Sequence, residues 1–156
     1  MATYLPYLIA LGIGFVAGLR AMTAPAAVAW AAYLGWLPLV GTLLAFMGSV
    51  WAVGILTLLA LLELIGDQLP STPSRKVPVQ FATRLLTGGF CGAAIGAVAN
   101  LPLACLASGA AGAVLGTYAG AAVRAKLAKA FGRDLPAALL EDLVAIGGAW
   151  LLLRCY

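Results

Sequence analysis

The sequence predicts an all-α protein, a polytopic transmembrane helical bundle of about five spanning helices. Three observations carry that expectation. Of 156 residues, 64% are hydrophobic and only 9% charged, with a mean hydropathy of +1.08, whereas soluble domains carry about 25% charged residues. Between Met1 and Leu62 the one fixed charge is Arg20, and a stretch that long without a polar face belongs in lipid. The remaining basic residues fall largely into two short connectors, one holding Arg75 and Lys76, the other Arg124, Lys126, Lys129 and Arg133. That is the pattern of cytoplasmic loops under the positive-inside rule.

Charges, prolines and glycines divide the chain into five hydrophobic elements. The first runs from about Tyr4 to Leu34 and includes Arg20 and Pro25; it is either long and tilted or broken near Gly18 and Pro25. The second ends at Gly66 and begins either near Leu37 or, after a short outer segment, near Ser49; residues 37–48 could thus cross, re-enter or lie at the interface. The third covers about Val79 to Ala99. The fourth covers Pro102 to Val123 and continues as a basic extension towards Phe131. The last begins at Pro136, a favourable first-turn residue, and runs to about Leu153. Each is near the ~20 residues needed to cross hydrocarbon.

Five crossings put both basic connectors on one side, which the rule makes cytoplasmic. The expected location is the inner (plasma) membrane, multi-pass, with the N-terminus inside and Arg154 outside. Met-Ala-Thr-Tyr lacks the positive start of a cleavable signal, so the first segment is expected to be retained. The chain reads as one domain, 1–156, with a faint repeat of 18–66 in 82–145. Arg20-x-x-Thr23 recurs as Arg84-x-x-Thr87, Leu37-Pro38-Leu39 as Leu101-Pro102-Leu103, and Ala60-Leu-Leu-Glu63 as Ala138-Leu-Leu-Glu141.

Arginine inside a span costs about 2.5–3.5 kcal/mol unless it meets an acid or a wet cavity, so Arg20 needs a partner. Glu63 and Asp67 share a helix face at the inner end of the second element. Glu141 and Asp142 enter at the same end of the last element, and Arg84 sits at that level on the third. These residues define a candidate ion-pair cluster, with Thr23 and Thr87 as hydrogen-bonding neighbours one turn along. The connector Asp67-Gln-Leu-Pro70-Ser71-Thr72-Pro73-Ser74-Arg75-Lys76-Val-Pro78 is held extended by its prolines. Its hydroxyls, with Arg75 and Lys76, could meet a phosphate; the plainer reading is a rigid cytoplasmic turn with positive-inside anchors.

Gly88, Gly92 and Gly96, with Gly112, Gly116 and Gly120, recur at helix-contact spacing and suggest a seam between the third and fourth elements. Trp30, Trp36, Trp51 and Trp150 fall near expected outer ends, as an interfacial belt would. Cys91, Cys105 and Cys155 read as buried free thiols. With no histidine and no paired cysteine spacing, no metal centre or cofactor is expected. No basic face with interleaved aromatics exists for nucleic acid. No nucleophile stands beside a base, so an enzyme is not expected.

Gly18-Leu19-Arg20-Ala21, the stretch Leu62-Glu63-Leu64-Ile65-Gly66-Asp67-Gln68-Leu69-Pro70-Ser71-Thr72-Pro73-Ser74-Arg75, and Leu140-Glu141-Asp142 resemble a bacterial family of small membrane proteins catalogued as a domain of unknown function. The resemblance spans nearly the whole chain, and Glu-x3-Asp-x2-Pro-x-Thr-Pro-x-Arg is its specific part. Gln68 stands where members often have lysine. The resemblance implies a class and no reaction. Two readings follow from the residues: a protein that binds or moves a small ion or an anionic lipid headgroup through the Arg/carboxylate cluster, or a non-transporting scaffold whose ion pairs are architectural. The bilayer is the expected partner, and five short helices rarely enclose a path alone, which implies a homodimer.

Overall fold

The computed structural model describes residues 4–67 and 77–156. Every regular element among them is helical: α1 Leu5–Leu19, α2 Thr23–Tyr33, a 3-10 turn at Ala45–Gly48, α3 Val50–Gly66, α4 Pro78–Val98, α5 Pro102–Phe131 and α6 Asp134–Arg154. Sequence punctuation sets most of these ends. Pro78 and Pro102 open α4 and α5 in the first turn, where a missing N–H costs nothing. Ser49 caps α3, its hydroxyl accepting from the Ala52 amide at 3.1 Å. Gly132 ends α5 in the left-handed conformation at φ 67°.

The first hydrophobic element is two helices. α1 stops at Leu19, Arg20 is extended (φ −142°, ψ 111°), and α2 starts again at Thr23. The chain reverses there. Gly14 and Gly18 of α1 lie against Gly109 and Ala113 of α5, and Leu11 and Phe15 lie against Gly112 and Gly116, so α1 runs parallel to α5. α2 returns, and the Trp30 indole donates to the Thr57 hydroxyl of α3 at 3.0 Å. The helices therefore alternate in direction from α1 to α6. Leu5 and Arg154 both lie at the end away from Arg20, which corrects the expectation that the chain starts on the side of the basic connectors. The two Ala-Leu-Leu-Glu copies sit on helices, α3 and α6, that run in opposite senses.

α4, α5 and α6 are the helices among the described residues long and apolar enough to cross a membrane; α1 and α3 are apolar but shorter. By length and composition the count is three where the sequence suggested about five, because the first element is split and α3, the second, has 17 residues. Residues 37–48 form no spanning helix: turns and the 3-10 segment bury Leu37, Leu39 and Met47 against α2.

The core is α1, α4 and α5, in contact through glycines. A Cβ on Gly14, Gly92, Gly109 or Gly112 would run into backbone carbonyl oxygen of the neighbouring helix, so the helices approach as only small residues permit. One seam is not where the sequence placed it. Gly112 and Gly116 face Leu11 and Phe15 of α1, while α4 packs on Cys105, Gly109 and Ala113. Cys91 and Cys105 are buried, whereas Cys155, expected to be, is exposed. α3 packs chiefly on α2 and the 3-10 turn, burying only Val53 and Ala60.

Candidate functional site

The break between α1 and α2 creates an electrostatic problem that charged side chains solve. A helix C-terminus leaves carbonyls unpaired and partly negative; an N-terminus leaves amides unpaired and partly positive. Arg84, 1% exposed on α4, donates through Nη1 to the carbonyls of Gly18 (2.8 Å) and Leu19 (2.6 Å) at the end of α1. Glu63 of α3 accepts from the amides of Ala21 (2.8 Å) and Met22 (2.7 Å) at the start of α2. The two side chains stand 3.8 Å apart. Thr117 of α5 adds its hydroxyl, 2.8 Å from the Ala113 carbonyl and 3.4 Å from that of Gly18.

Arg20 lies in the break itself, fully buried. Its Nε donates to Asp142 Oδ1 at 2.7 Å, Nη2 lies 2.5 Å from the same oxygen, and Nη1 pairs with Asp67. One planar guanidinium thus ties the C-terminus of α3 to α6, a geometry that an ammonium could not match. Asp67 and Asp142 keep 14% and 12% of their side-chain surface open, whereas the arginine keeps none.

Arg124 completes the cluster. From α5 it donates to Asp134 at 2.9 and 2.5 Å and to the Asp67 carbonyl at 3.3 Å. Its Nη1 lies 3.6 Å from Glu141 and 3.9 Å from Asp67. The sequence assigned Arg124 to a loop-facing basic group. α5 continues past Val123, as the expected basic extension does, and on it Arg124 faces α6; the acids it meets there were not read from the sequence.

Arg20, Glu63, Asp67, Arg84, Glu141 and Asp142 are therefore brought together, with Arg124 and Asp134 added. Two expected members are not. Thr87 donates to the Thr83 and Arg84 carbonyls of its own helix (3.0 and 3.2 Å), a satisfied bond that turns it from the cluster. Thr23 is buried, yet its hydroxyl makes no hydrogen bond among the described residues, and it lines a groove between α2, α3 and α6. Arg75 and the rest of the proline-rich connector, 68–76, lie outside the described residues.

Beside the cluster a pocket of about 210 Å³ between α1, α5 and α6 is lined by Phe15, Leu19, Val123 and Leu140 and touches Arg124 and Glu141. No group of three or more acids or cysteines among the described residues is arranged to hold a metal ion; the carboxylates turn towards guanidiniums and amides rather than towards a common centre.

Neither the curated proteins nor the solved structures provide a match to this chain. A family model matches residues 7–155, which is nearly the whole chain and includes every member of the cluster. The chain belongs to the family described as a domain of unknown function, DUF4126.

Proposed function

We propose that this is a multi-pass membrane protein that binds and passes a small cation, in the simplest case a proton, at the carboxylate-rich cluster around Arg20. The observation that carries the reading is the gathering of carboxylates and buried guanidiniums at the break between α1 and α2. Among the described residues Glu63, Asp67, Asp134, Glu141 and Asp142 gather around three guanidiniums, those of Arg20, Arg84 and Arg124. The carboxylates are the groups of this network that can take up a proton, while the guanidiniums stay charged. An anionic headgroup would instead have to displace carboxylates already seated on arginine, which makes the cation the better fit of the two ligands considered from the sequence.

Broken helices whose ends meet at a polar site are a recurring device of transporters, and intramembrane ionisable groups mark ion pathways. In this reading a proton on Asp142 or Asp67 removes one of the two charges holding Arg20, and the guanidinium shifts towards the other. The pocket next to Arg124 and Glu141 is the approach. The basic end of α5 makes the cluster end cytoplasmic by the positive-inside rule; the start of α1 and the end of α6 then lie outside, in the plasma membrane. No bond is made or broken, so the protein is not an enzyme in this reading. A second copy against the exposed face of α3 would widen the enclosure.

The test is flux in proteoliposomes holding a pH-sensitive dye, with a potassium diffusion potential imposed by valinomycin. The wild type should admit protons several-fold faster than empty vesicles, and Asp142→Asn should return the rate to that of empty vesicles while eluting as a folded protein. Rates equal to empty vesicles for protons, sodium and potassium would overturn the proposal. The scaffold reading draws on a different observation: Glu63 and Arg84 use their short contacts on the backbone of α1 and α2.

A further inference from the structure

At the end of the bundle opposite the cluster, Arg154 makes no ion pair with an acidic side chain among the described residues. Arg154, exposed at the C-terminus of α6, lies over the rings of Trp36 and Trp150, with its guanidinium carbon 4.9 and 5.2 Å from their centroids. The two indoles pack edge to face at 6.3 Å. All five carboxylate side chains of the sequence belong to the cluster at the far end, and none pairs with Arg154. Aromatic stacking fixes the guanidinium's position without neutralising it.

The same two tryptophans form the mouth of a groove of about 390 Å³ between α2, α3 and α6, within the size range of ligand pockets. It descends past Trp30 and Thr57, whose hydrogen bond joins α2 to α3, to Ala60 and Thr23 near the cluster. Its walls are almost wholly apolar. α2 rises about 1.5 Å per residue, so a groove running along its length is deep enough for an extended hydrocarbon chain.

We propose that this groove holds one acyl chain of an anionic phospholipid, whose phosphate sits on Arg154. The charge at the mouth and the apolar depth below it match the two halves of such a molecule. Arginine pairs with phosphate through two parallel N–H bonds, and an indole belt is what a headgroup region meets at a membrane surface. The site is separate from the ion cluster and does not rest on that reading.

Native mass spectrometry of the protein released from detergent tests it, titrating phosphatidylglycerol against phosphatidylcholine of identical chains. The wild type should retain one phosphatidylglycerol with at least a tenfold preference. Arg154→Gln, on an exposed helix end, should abolish the preference while leaving weak binding of both lipids, and Arg154→Lys should recover part of it. Ala27→Trp, which fills the groove, should remove retention of either lipid, and glycerol phosphate should not compete. Equal retention of the two lipids by the wild type would overturn the proposal. So would an undiminished preference in Arg154→Gln, a groove-filled variant that binds as before, or a lipid-free dimer that Ala27→Trp dissociates, since the occupant would then be a second copy.

Discussion

Arg84 and Glu63 stand 3.8 Å apart, each holding one of two helix ends that meet at Arg20. The guanidinium caps the carbonyl end of α1 and the carboxylate caps the amide end of α2, so each charge matches the dipole it faces. Their mutual attraction is secondary, since 3.8 Å exceeds hydrogen-bonding distance. The break is consequently part of the fold's ground state.

Truncating either cap should therefore destabilise the hairpin rather than merely remove a surface pair. Hydrogen bonds to charged groups are worth about 1.5–3 kcal/mol each. Glu63→Gln keeps one acceptor and should cost about 2 kcal/mol, and Glu63→Ala about 3–4 kcal/mol. Unfolding in detergent followed by circular dichroism checks the order. A Glu63→Ala protein as stable as Glu63→Gln would mean that the amides find other partners.

Arg20 should tolerate no substitute. It is buried on all sides and shared by Asp67 and Asp142; its removal strips Asp142 of its buried counter-charge and weakens the hold on Asp67, at a cost of about 3–5 kcal/mol. Arg20→Lys should recover less than half of that, because an ammonium cannot span the two acids with the same fork. Combining Arg20→Gln with Asp142→Asn should cost less than the sum of the single changes by about 1–3 kcal/mol. Additive single costs, measured by the same unfolding assay, would show that the pair is not coupled.

How much of this was legible in the sequence differs from residue to residue. Arg20 and the acids were readable because a charge in an apolar run needs a partner, and Glu63, Asp67, Glu141 and Asp142 all fall near the ends of hydrophobic elements on one side. Which acid meets Arg20 was not readable. Glu63 went to the backbone of α2 because the break exposed amides there; Gly18 and Pro25 allowed a break in this region, but neither stands at Ala21 or Met22 to place it. The direction of α1 depended on that same turn, so the position of the chain's start was lost with it. Thr87 repeats the spacing of Thr23 from its arginine, yet lies inside a continuous helix where its own carbonyls are nearer.

Glycine positions should separate into two classes. Gly14 and Gly112 each approach a backbone carbonyl of the facing helix, with no room for a methyl group. Gly14→Ala and Gly112→Ala should each cost about 1–3 kcal/mol through forced separation of α1 from α5. Gly147 on α6 has nothing within 4 Å of its Cβ direction, so Gly147→Ala should stabilise by about 0.5–1 kcal/mol through helix propensity alone. Thermal unfolding of the three variants gives opposite signs if the packing is as described; a neutral Gly112→Ala would contradict it.

The last prediction separates an ion pathway from an architectural lock. Exchanging the charges, Arg20→Asp with Asp142→Arg, restores an ion pair between the break and α6 but moves the guanidinium from the turn to the helix. Each single change places like charges together in a low dielectric and should prevent stable assembly. The double variant should recover folding in part, judged by elution and circular dichroism, because the pair is remade while Asp67 loses the Arg20 guanidinium and meets a like charge. Where folding returns, proton flux in proteoliposomes should stay below one tenth of wild type, since the relay depends on which element carries the mobile charge. Full recovery of both folding and flux would assign the pair to architecture and leave the passage of ions to other groups.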